Sequence, residues 1–465
     1  MFAGFDYGTS NCSIGLMDGG HARLVPLEDS RTLIPSTMWA LRQDLVVRPL
    51  DPRRSDQGER RRSAAAARDG AASATRADAY STALLTRYRE RALRLQRNGD
   101  VLFGSRAMEA HFASPDEGFY VKSPKSFLGA RGLNEEVQER FVDIVAAMMA
   151  NIIELARQFA GKPIEQLVIG RPVNFQGAGG APDNARALAM VERAARINGV
   201  RDIQFLFEPM AAAMELEARL ARERLVLVVD IGGGTTDCSF VRIGPKRRHK
   251  VDRSDDVLGH SGERMGGNDY DQALAFHGLM PQFGLGRQLG NGLPVPNIVC
   301  MDAVSINDVN SQQRFYSATQ RARLLGYVNT AREPKLLARL LAVRDRRLTY
   351  RLVRAAELAK IALSELEFAD AELAFIEPDL RVQVERGLFL TASARLLTHL
   401  KGLVSEVLRL DNARPDAVYL TGGMARSTFV RAAIAELLPD VEVIDSDHFA
   451  SVTEGLTLRA RQLFG

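Results

Sequence analysis

Apolar and polar positions alternate through residues 2–17 as in two short strands around a polar turn. Short strand-like runs continue through 24–50, interrupted by Pro26, Pro35 and Pro49. Residues 51–79 carry almost no large apolar side chain, so they cannot bury enough surface to order themselves and are expected to form a flexible insertion. Leu84, Leu85, Tyr88, Leu93 and Leu95 among arginines predict a helix over 80–97. A stronger helical period runs from 135 to 160 through Val137, Phe141, Ile144, Val145, Met148, Met149, Ile152 and Ile153. Then come a strand at 166–170, a Pro-bounded loop, a helix over 183–198, a strand over 202–207 and a helix from Pro209. A second half opens at 225, with a Gly- and Pro-rich loop over 284–300 and helices over 350–367 and 393–410. The chain closes with strand 417–421, a Gly-Gly turn, helix 427–438, strand 440–444 and a helix from about 451. Strands alternating with helices predict an α/β class.

Two segments of this pattern echo each other. Ala3-Gly4-Phe5-Asp6-Tyr7-Gly8-Thr9-Ser10-Asn11-Cys12-Ser13 and Val229-Asp230-Ile231-Gly232-Gly233-Gly234-Thr235-Thr236-Asp237-Cys238-Ser239 share an apolar run, Asp, a Gly turn with hydroxyl residues, then Cys-Ser. The second copy reads as having two extra glycines, and Cys12 and Cys238 read as occupying equivalent places. An internal duplication about half a chain apart predicts two related halves with a ligand between them.

The chemistry of these turns is that of an anion site. Glycine permits backbone angles that aim several N–H groups at one anion, and Thr and Ser add hydroxyl donors. Gly8, Thr9, Ser10 and Asn11 supply one such turn, and Gly232, Gly233, Gly234, Thr235 and Thr236 the other, so two facing turns would clamp a polyphosphate. Asp6 and Asp230 precede the turns at strand ends, and Asp237 follows the second. Carboxylates beside phosphates suit Mg²⁺, which keeps several waters and takes one or two protein carboxylates. No Walker-type phosphate loop is present in the sequence. A third turn, Thr421-Gly422-Gly423-Met424-Ala425-Arg426-Ser427, follows a strand, and Arg426 there is suited to stack on a purine or cover phosphates.

Composition changes this picture little. The 465 residues are 46% hydrophobic and 25% charged, as in a soluble globular protein, and three cysteines without metal spacing fit a reducing cytoplasm. No tripartite leader and no bilayer-length apolar run is visible, so a cytoplasmic, unanchored protein is expected. The net charge of +4 is uneven: residues 48–97 carry +7 and residues 321–354 carry +8, which leaves −11 for the remainder. Without interleaved aromatic residues, the first basic segment reads as a solvated insertion rather than a nucleic-acid surface.

The three turns together resemble those of the actin-like ATPase superfamily, and the chain is most similar to the DnaK-type chaperones, the seventy-kilodalton heat-shock proteins. Asp6 and Asp230 head segments like that family's two phosphate motifs, and Thr421–Ser427 resembles its adenosine motif. Five further segments carry the resemblance: Lys125-Ser-Phe-Leu-Gly129, Glu208-Pro-Met-Ala-Ala-Ala213, Met265-Gly-Gly-Asn-Asp-Tyr-Asp271, Ala356-Glu357-Leu-Ala-Lys360-Ile-Ala-Leu-Ser364 and Arg31-Thr-Leu-Ile-Pro35-Ser36. A small YegD-like group, chaperone-like ATPases with no assigned client, looks closer still. The resemblance runs from residue 2 to about 460.

That resemblance implies an actin-like ATPase fold of duplicated ribonuclease-H-like lobes around a central nucleotide cleft. Lobe I would span 1–222, with a basic flexible insertion at about 51–100, and be completed by 441–465. Lobe II would span 223–440, with an insertion at about 284–350. ATP or ADP with Mg²⁺ is the implied ligand, and slow hydrolysis the implied activity. Lys125 would place a positive charge at the γ-phosphate, Glu208 would polarise the attacking water, and Asp6, Asp230 and Thr235 would complete the catalytic set. Mg²⁺ would be held by Asp6, Asp230 and Asp237, mainly through water. Glu357, Lys360 and Ser364, spaced i, i+3 and i+7 on one helical face, would contact the nucleoside with Gly422, Gly423, Met424 and Arg426.

The departures bear on base choice and on purpose. Ile361 stands where the family commonly carries an arginine over the adenine, and Met424 where a small polar residue is usual. No acidic-leucine linker and no peptide-binding domain follows, so chaperoning of extended peptides is not expected from this chain alone. A co-chaperone or nucleotide exchange factor and a protein client are the implied partners, with neither membrane nor nucleic acid. A nucleotide-gated interaction or filament module, or a small-molecule kinase on the same fold, are the alternative readings.

Overall fold

The computed structural model describes residues 1–46, 90–130, 134–175, 180–411, 413–445 and 450–465. Most of the basic stretch at 48–97, including the insertion expected at 51–79, lies outside the described residues.

Two sheets with the same topology organise the chain. The first runs β3–β2–β1–β8–β9, from β1 (Phe2–Tyr7), β2 (Asn11–Asp18), β3 (His21–Leu24), β8 (Gln166–Arg171) and β9 (Asp202–Phe207), with the short β4 (Ile34–Pro35) beside β2. The second runs β12–β11–β10–β15–β16, from β10 (Arg224–Ile231), β11 (Thr236–Ile243), β12 (Val257–Glu263), β15 (Ala417–Thr421) and β16 (Glu442–Asp445). In each, the strand carrying the first Asp pairs antiparallel with its successor and parallel with the strand on its other side. The duplication legible in two turns therefore extends over two whole sheets.

Strand register corrects the alignment of the two turns. Tyr7 pairs with Cys12 and Ile231 with Thr236, so each turn has four residues between its closing pair. There is no insertion of two glycines. Gly8 matches Gly232, Ser13 matches Asp237, and Cys12 matches Thr236 rather than Cys238. Identity of residue type misaligned the copies because hairpin register is set by the pairing across the turn.

Central strands read as continuous apolar runs because both faces are covered. Val226, Leu227, Val228 and Val229 on β10 are buried without interruption. Two helices cross between the sheets. The helix Glu208–Arg219 follows the first sheet yet packs mainly on β10 and β11, while the helix Ser451–Phe464 follows the second sheet and packs on β1, β2 and β8. They meet where Gly455 has no side chain: a Cβ there would lie 1.7 Å from the carbonyl oxygen of Ala211. The boundary expected at 441 is corrected, because β16 pairs with β15 and belongs to the second sheet.

Each lobe carries a second layer. On the first lobe, β5 (Thr37–Ala40), β6 (Val101–Phe103) and β7 (Phe119–Lys122) form a three-stranded sheet beside the helix Gly104–Ala113. The long helix Glu135–Ala160 begins where the Asn134 side chain accepts a hydrogen bond from the Val137 amide and ends at Gly161 with φ of 66°. On the second lobe, residues 297–345 form four helices whose apolar faces join the main core through Val299, Phe315, Leu324 and Leu340. The stretch expected as an insertion at 284–350 is thus a packed helical layer; Arg321, Arg323 and Arg332 lie exposed on it, while Arg344 is buried and donates to Phe315 O, Tyr316 O and Ser317 O. The helix Thr349–Leu363 and the hairpin β13 (Phe368–Glu372) and β14 (Arg381–Glu385) complete it with the helix Arg386–Leu410.

Candidate functional site

The two glycine turns face each other across the gap between the lobes and touch. A Cβ on Gly233 would lie 1.8 Å from Ser10 Oγ, and one on Gly234 would lie 2.8 Å from Thr9 Cγ2. The second turn is all glycine at its tip because the hydroxyl side chains of the first fill the space. Behind it, the segment named by Met265–Asp271 acts as a brace. Gly267 N donates to Gly232 O at 2.9 Å, Asn268 N to Gly233 O at 2.8 Å, and Thr236 Oγ1 to Met265 O at 2.7 Å.

A ladder of backbone bonds carries the first turn to the lysine. Ser36 N donates to Ser10 O at 2.8 Å, and Ser123 N donates to Ser36 O at 2.8 Å. Ser123 takes a left-handed conformation, φ 56°, which turns the chain into the short helical turn Pro124–Phe127 that carries Lys125. Lys125 Nζ then donates to Glu208 Oε1 at 2.6 Å, with both side chains buried. Glu208 is the first residue of its helix, followed by Pro209, whose missing N–H costs nothing there.

Around this pair stand three aspartates. Burial, then the charge of Glu208, pushes the Asp6 carboxyl up to about 7. Burial and the same glutamate push Asp237 up to about 7, against a 2.7 Å hydrogen bond from Val173 N to its Oδ1. Asp230 is raised well above the ordinary carboxylate range by burial, then by Glu208, Asp237 and Asp6. Burial acts to lower Lys125, but Glu208 and Asp6 outweigh it and leave the lysine raised. Four carboxyls thus share one neighbouring lysine, an arrangement that favours a bound cation or retained protons. Asp237 Oδ2 is buried without a hydrogen-bond partner.

Among the described residues no three His, Cys, Asp or Glu side chains converge as a direct metal-ligand set. The orphaned Asp237 oxygen and the mutually repelling aspartates fit a hydrated Mg²⁺ held through its waters.

The third turn packs against the end of β10 that carries Asp230. Gly422 has φ of 83°, and a Cβ there would meet Ile231 O at 2.4 Å and Asp230 Oδ1 at 2.7 Å. Met424 is buried beside Gly267, while Gly423 and Arg426 are exposed. On the helix Thr349–Leu363, Lys360 is engaged by the protein: its Nζ lies 2.7 Å from Asp271 Oδ1 and 3.3 Å from Gly267 O. Glu357 pairs with Arg354 at 2.6 Å and, across the cleft, with Lys122 at 3.8 Å. Ser364 O accepts from Thr428 Oγ1 at 3.0 Å, and Ile361 is 56% exposed.

Sequence reasoning missed the cleft rim. His111 stacks on Tyr120 at 4.2 Å, and Tyr350 of the other lobe meets both edge-on, at 5.5 and 5.1 Å. Burial, then the charge of Arg347, holds His111 down at about 4, so it is neutral at pH 7. Those rings lie on separate lobes, and nothing in their local patterns marks them. Cys12 and Cys238 are buried under their turns, and burial pushes the Cys12 thiol up to about 12, which makes it inert.

Comparison with known proteins gives concordant matches. The family model described as Hsp70 protein matches residues 129–286. The chaperone protein dnaK of Guillardia theta is 23% identical over 380 residues, covering 74% of this chain and 49% of the relative. DnaK of Trichormus variabilis is 25% identical over 306 residues, 64% of this chain and 35% of the relative, and DnaK of Elusimicrobium minutum 31% over 131 residues, 28% and 19%. The chain thus matches about half the length, or less, of these relatives. No helix among the described residues is long and apolar enough to cross a membrane. The doubled sheets, the apposed glycine turns, the Lys125–Glu208 pair and these matches converge: the chain is similar to proteins of the DnaK/Hsp70 type, and its mixed α/β fold is consistent with theirs.

Proposed function

We propose that this chain binds Mg²⁺-ATP between two lobes, residues 1–222 with 451–465 and residues 223–445, and hydrolyses it slowly as a chaperone-related ATPase. The observation that carries this reading is the buried Lys125–Glu208 pair at 2.6 Å, set among Asp6, Asp230 and Asp237 beside two apposed glycine turns.

In this reading the amides and hydroxyls of Gly8–Asn11 and Gly232–Thr236 hold the phosphates from both sides. Lys125 turns its ammonium from Glu208 to the γ-phosphate, where charge on the transferring group is stabilised. Glu208, freed from the lysine, orients the attacking water and takes its proton. Asp6, Asp230 and Asp237 would hold Mg²⁺ through its waters, and the ion would supply neutralisation of phosphate charge. Met424, Arg426, Gly422, Gly423, Glu357 and Ser364 border the nucleoside, and Lys360 fixes their helix against the 265–271 brace. Ile361 gives one wall of that pocket an apolar face. A co-chaperone or nucleotide exchange factor, a protein client and a cytoplasmic setting complete the reading.

The test is calorimetric titration with ADP and ATP in Mg²⁺, together with steady-state turnover of the wild type and of Lys125→Ala. Binding of both nucleotides, and turnover lost in the variant, supports the reading. A wild type that binds neither overturns it.

A further inference from the structure

The loop after β8 does more than connect. Arg171 folds back over it: Nε donates to Pro172 O at 3.1 Å and Nη2 to Val173 O at 3.2 Å. The same guanidinium lies 4.6 Å over the ring of Phe207, the residue before Glu208. From the opposite side Asn184, on the helix Gly180–Ile197, grips the loop. Its Nδ2 donates to Val173 O at 3.2 Å and Asn174 Oδ1 at 2.9 Å, and its Oδ1 accepts from Phe175 N at 2.9 Å.

Held in this way, the loop reaches from the first lobe into the second. Val173 N donates to Asp237 Oδ1 at 2.7 Å, and Asn174 Nδ2 donates to Gly262 O at 2.9 Å. Position 262 is glycine because a Cβ would lie 2.4 Å from Asp237 Oδ1 and 2.9 Å from Val173 Cβ. A hydrogen bond to a buried carboxylate is among the stronger kinds, and its geometry depends on how firmly the donor is held.

We infer that Arg171 and Asn184 are positioning residues that make the 171–175 loop a strut between the lobes, so that closure of the cleft sets Asp237 through Val173 while Arg171 sets Glu208 through Phe207. The idea rests on the ATPase reading for its kinetic consequence but not for its structural one. Burial lowers the hold of Arg171 on its proton, with the charges of Asp237 and then Glu208 acting against it. Neither residue is among those proposed to contact the nucleotide; each acts through another.

The experiment uses the full chain as Arg171→Met, Arg171→Lys and Asn184→Ala. Amide exchange at Val173 and Asn174 is followed with and without ADP, beside kcat and KM for ATP and the thermal midpoint. With two loop hydrogen bonds gone in Arg171→Met and three in Asn184→Ala, exchange at Val173 should rise about tenfold in both. kcat should fall about tenfold while KM moves less than about twofold, the pattern of mispositioned chemistry. Arg171→Lys, with one donor in place of a fork, should recover part of both. Wild-type protection of Val173 in both Arg171→Met and Asn184→Ala overturns the strut. Raised exchange with unchanged kcat overturns its link to the reaction. Should Arg171→Met fail to fold, Asn184→Ala decides both points. A wild type without turnover defeats the ATPase reading, and the exchange rates still decide the strut.

Discussion

Lys125 and Glu208 stand 83 residues apart in sequence and share a 2.6 Å hydrogen bond in the buried floor of the cleft. In the proposed reaction each must leave the other before it can act. The pair satisfies both charges, and on the proposed reading a γ-phosphate entering the site would compete for the lysine and release the glutamate.

Lys125→Ala is therefore expected to lower ATP turnover by about a hundredfold or more, as when one transition-state donor is removed, with ADP binding retained. It also leaves Glu208 buried without its cation, so the thermal midpoint should fall in the same variant. Single-turnover kinetics and differential scanning calorimetry measure the two effects. Turnover equal to wild type would remove this lysine from the mechanism.

Stability without nucleotide should depend on pH in a definite direction. Asp6 and Asp237 are each pushed up to about 7 by burial first and Glu208 second. The unfolded chain loses these protons near pH 4 while the folded chain keeps them to about pH 7. Their contribution to stability is full below about pH 4 and is lost as pH rises to about 7. Asp237→Asn removes one such group, so its thermal midpoint should fall less between pH 4.5 and 7.5 than that of wild type. Mg²⁺ with ADP should flatten the wild-type decline. Identical slopes in the two proteins would contradict the assignment.

Gly233 has Ser10 against it, so Gly233→Ala must push the two turns apart. Weaker ADP binding, by about tenfold, is expected in line with 1–3 kcal/mol typical of overpacking, with little loss of overall fold. Ser10→Gly in the same chain clears the space and should restore part of the affinity. If Gly233→Ala binds ADP as wild type does, the turns are not in contact in solution.

Tyr350 is the second lobe's contribution to the ring cluster with His111 and Tyr120. An aromatic pair contributes about 0.5–1.5 kcal/mol beyond area, so Tyr350→Ala should speed release of a fluorescent ADP analogue by about two- to tenfold. Glu357→Gln, which breaks the 3.8 Å pair with Lys122, should act in the same direction but less, since that pair is partly exposed. Stopped-flow release with excess ATP reads both. An unchanged rate in Tyr350→Ala would mean that the rim does not gate exit.

What was legible in the sequence was local. A four-residue turn with its Asp is specified by neighbouring residues, so Asp6, Gly8, Asp230 and Gly232 were visible along with the strands that hold them. The helix at 135–160 was visible because twenty-six residues keep one apolar face. The resemblance added Lys125 and Glu208, whose neighbours reveal nothing of their meeting. What escaped was long-range: the place of β16 beside β15, the engagement of Lys360 by Asp271, the rings at the rim and the strut at Arg171. Each depends on pairing between segments tens to hundreds of residues apart, and no periodicity records that. Even the turn alignment failed for this reason, since matching Cys with Cys ignored the register that pairs Ile231 with Thr236.

The crossing at Gly455 and Ala211 bears on the order in which a nascent chain can become functional. β1, which carries Asp6, is covered by the helix Ser451–Phe464: a Cβ on Gly4 would lie 2.2 Å from Thr457 N, and Ser13 Oγ lies 2.5 Å from Thr453 Oγ1. A ribosome that has released the chain only as far as Arg426 has delivered every residue proposed to contact the nucleotide but not the helix that covers β1. We predict that nucleotide capture switches on only after Phe464 has emerged. Chains arrested at successive lengths and probed with a fluorescent ADP would show it, and capture by a chain arrested before Ser451 would refute it.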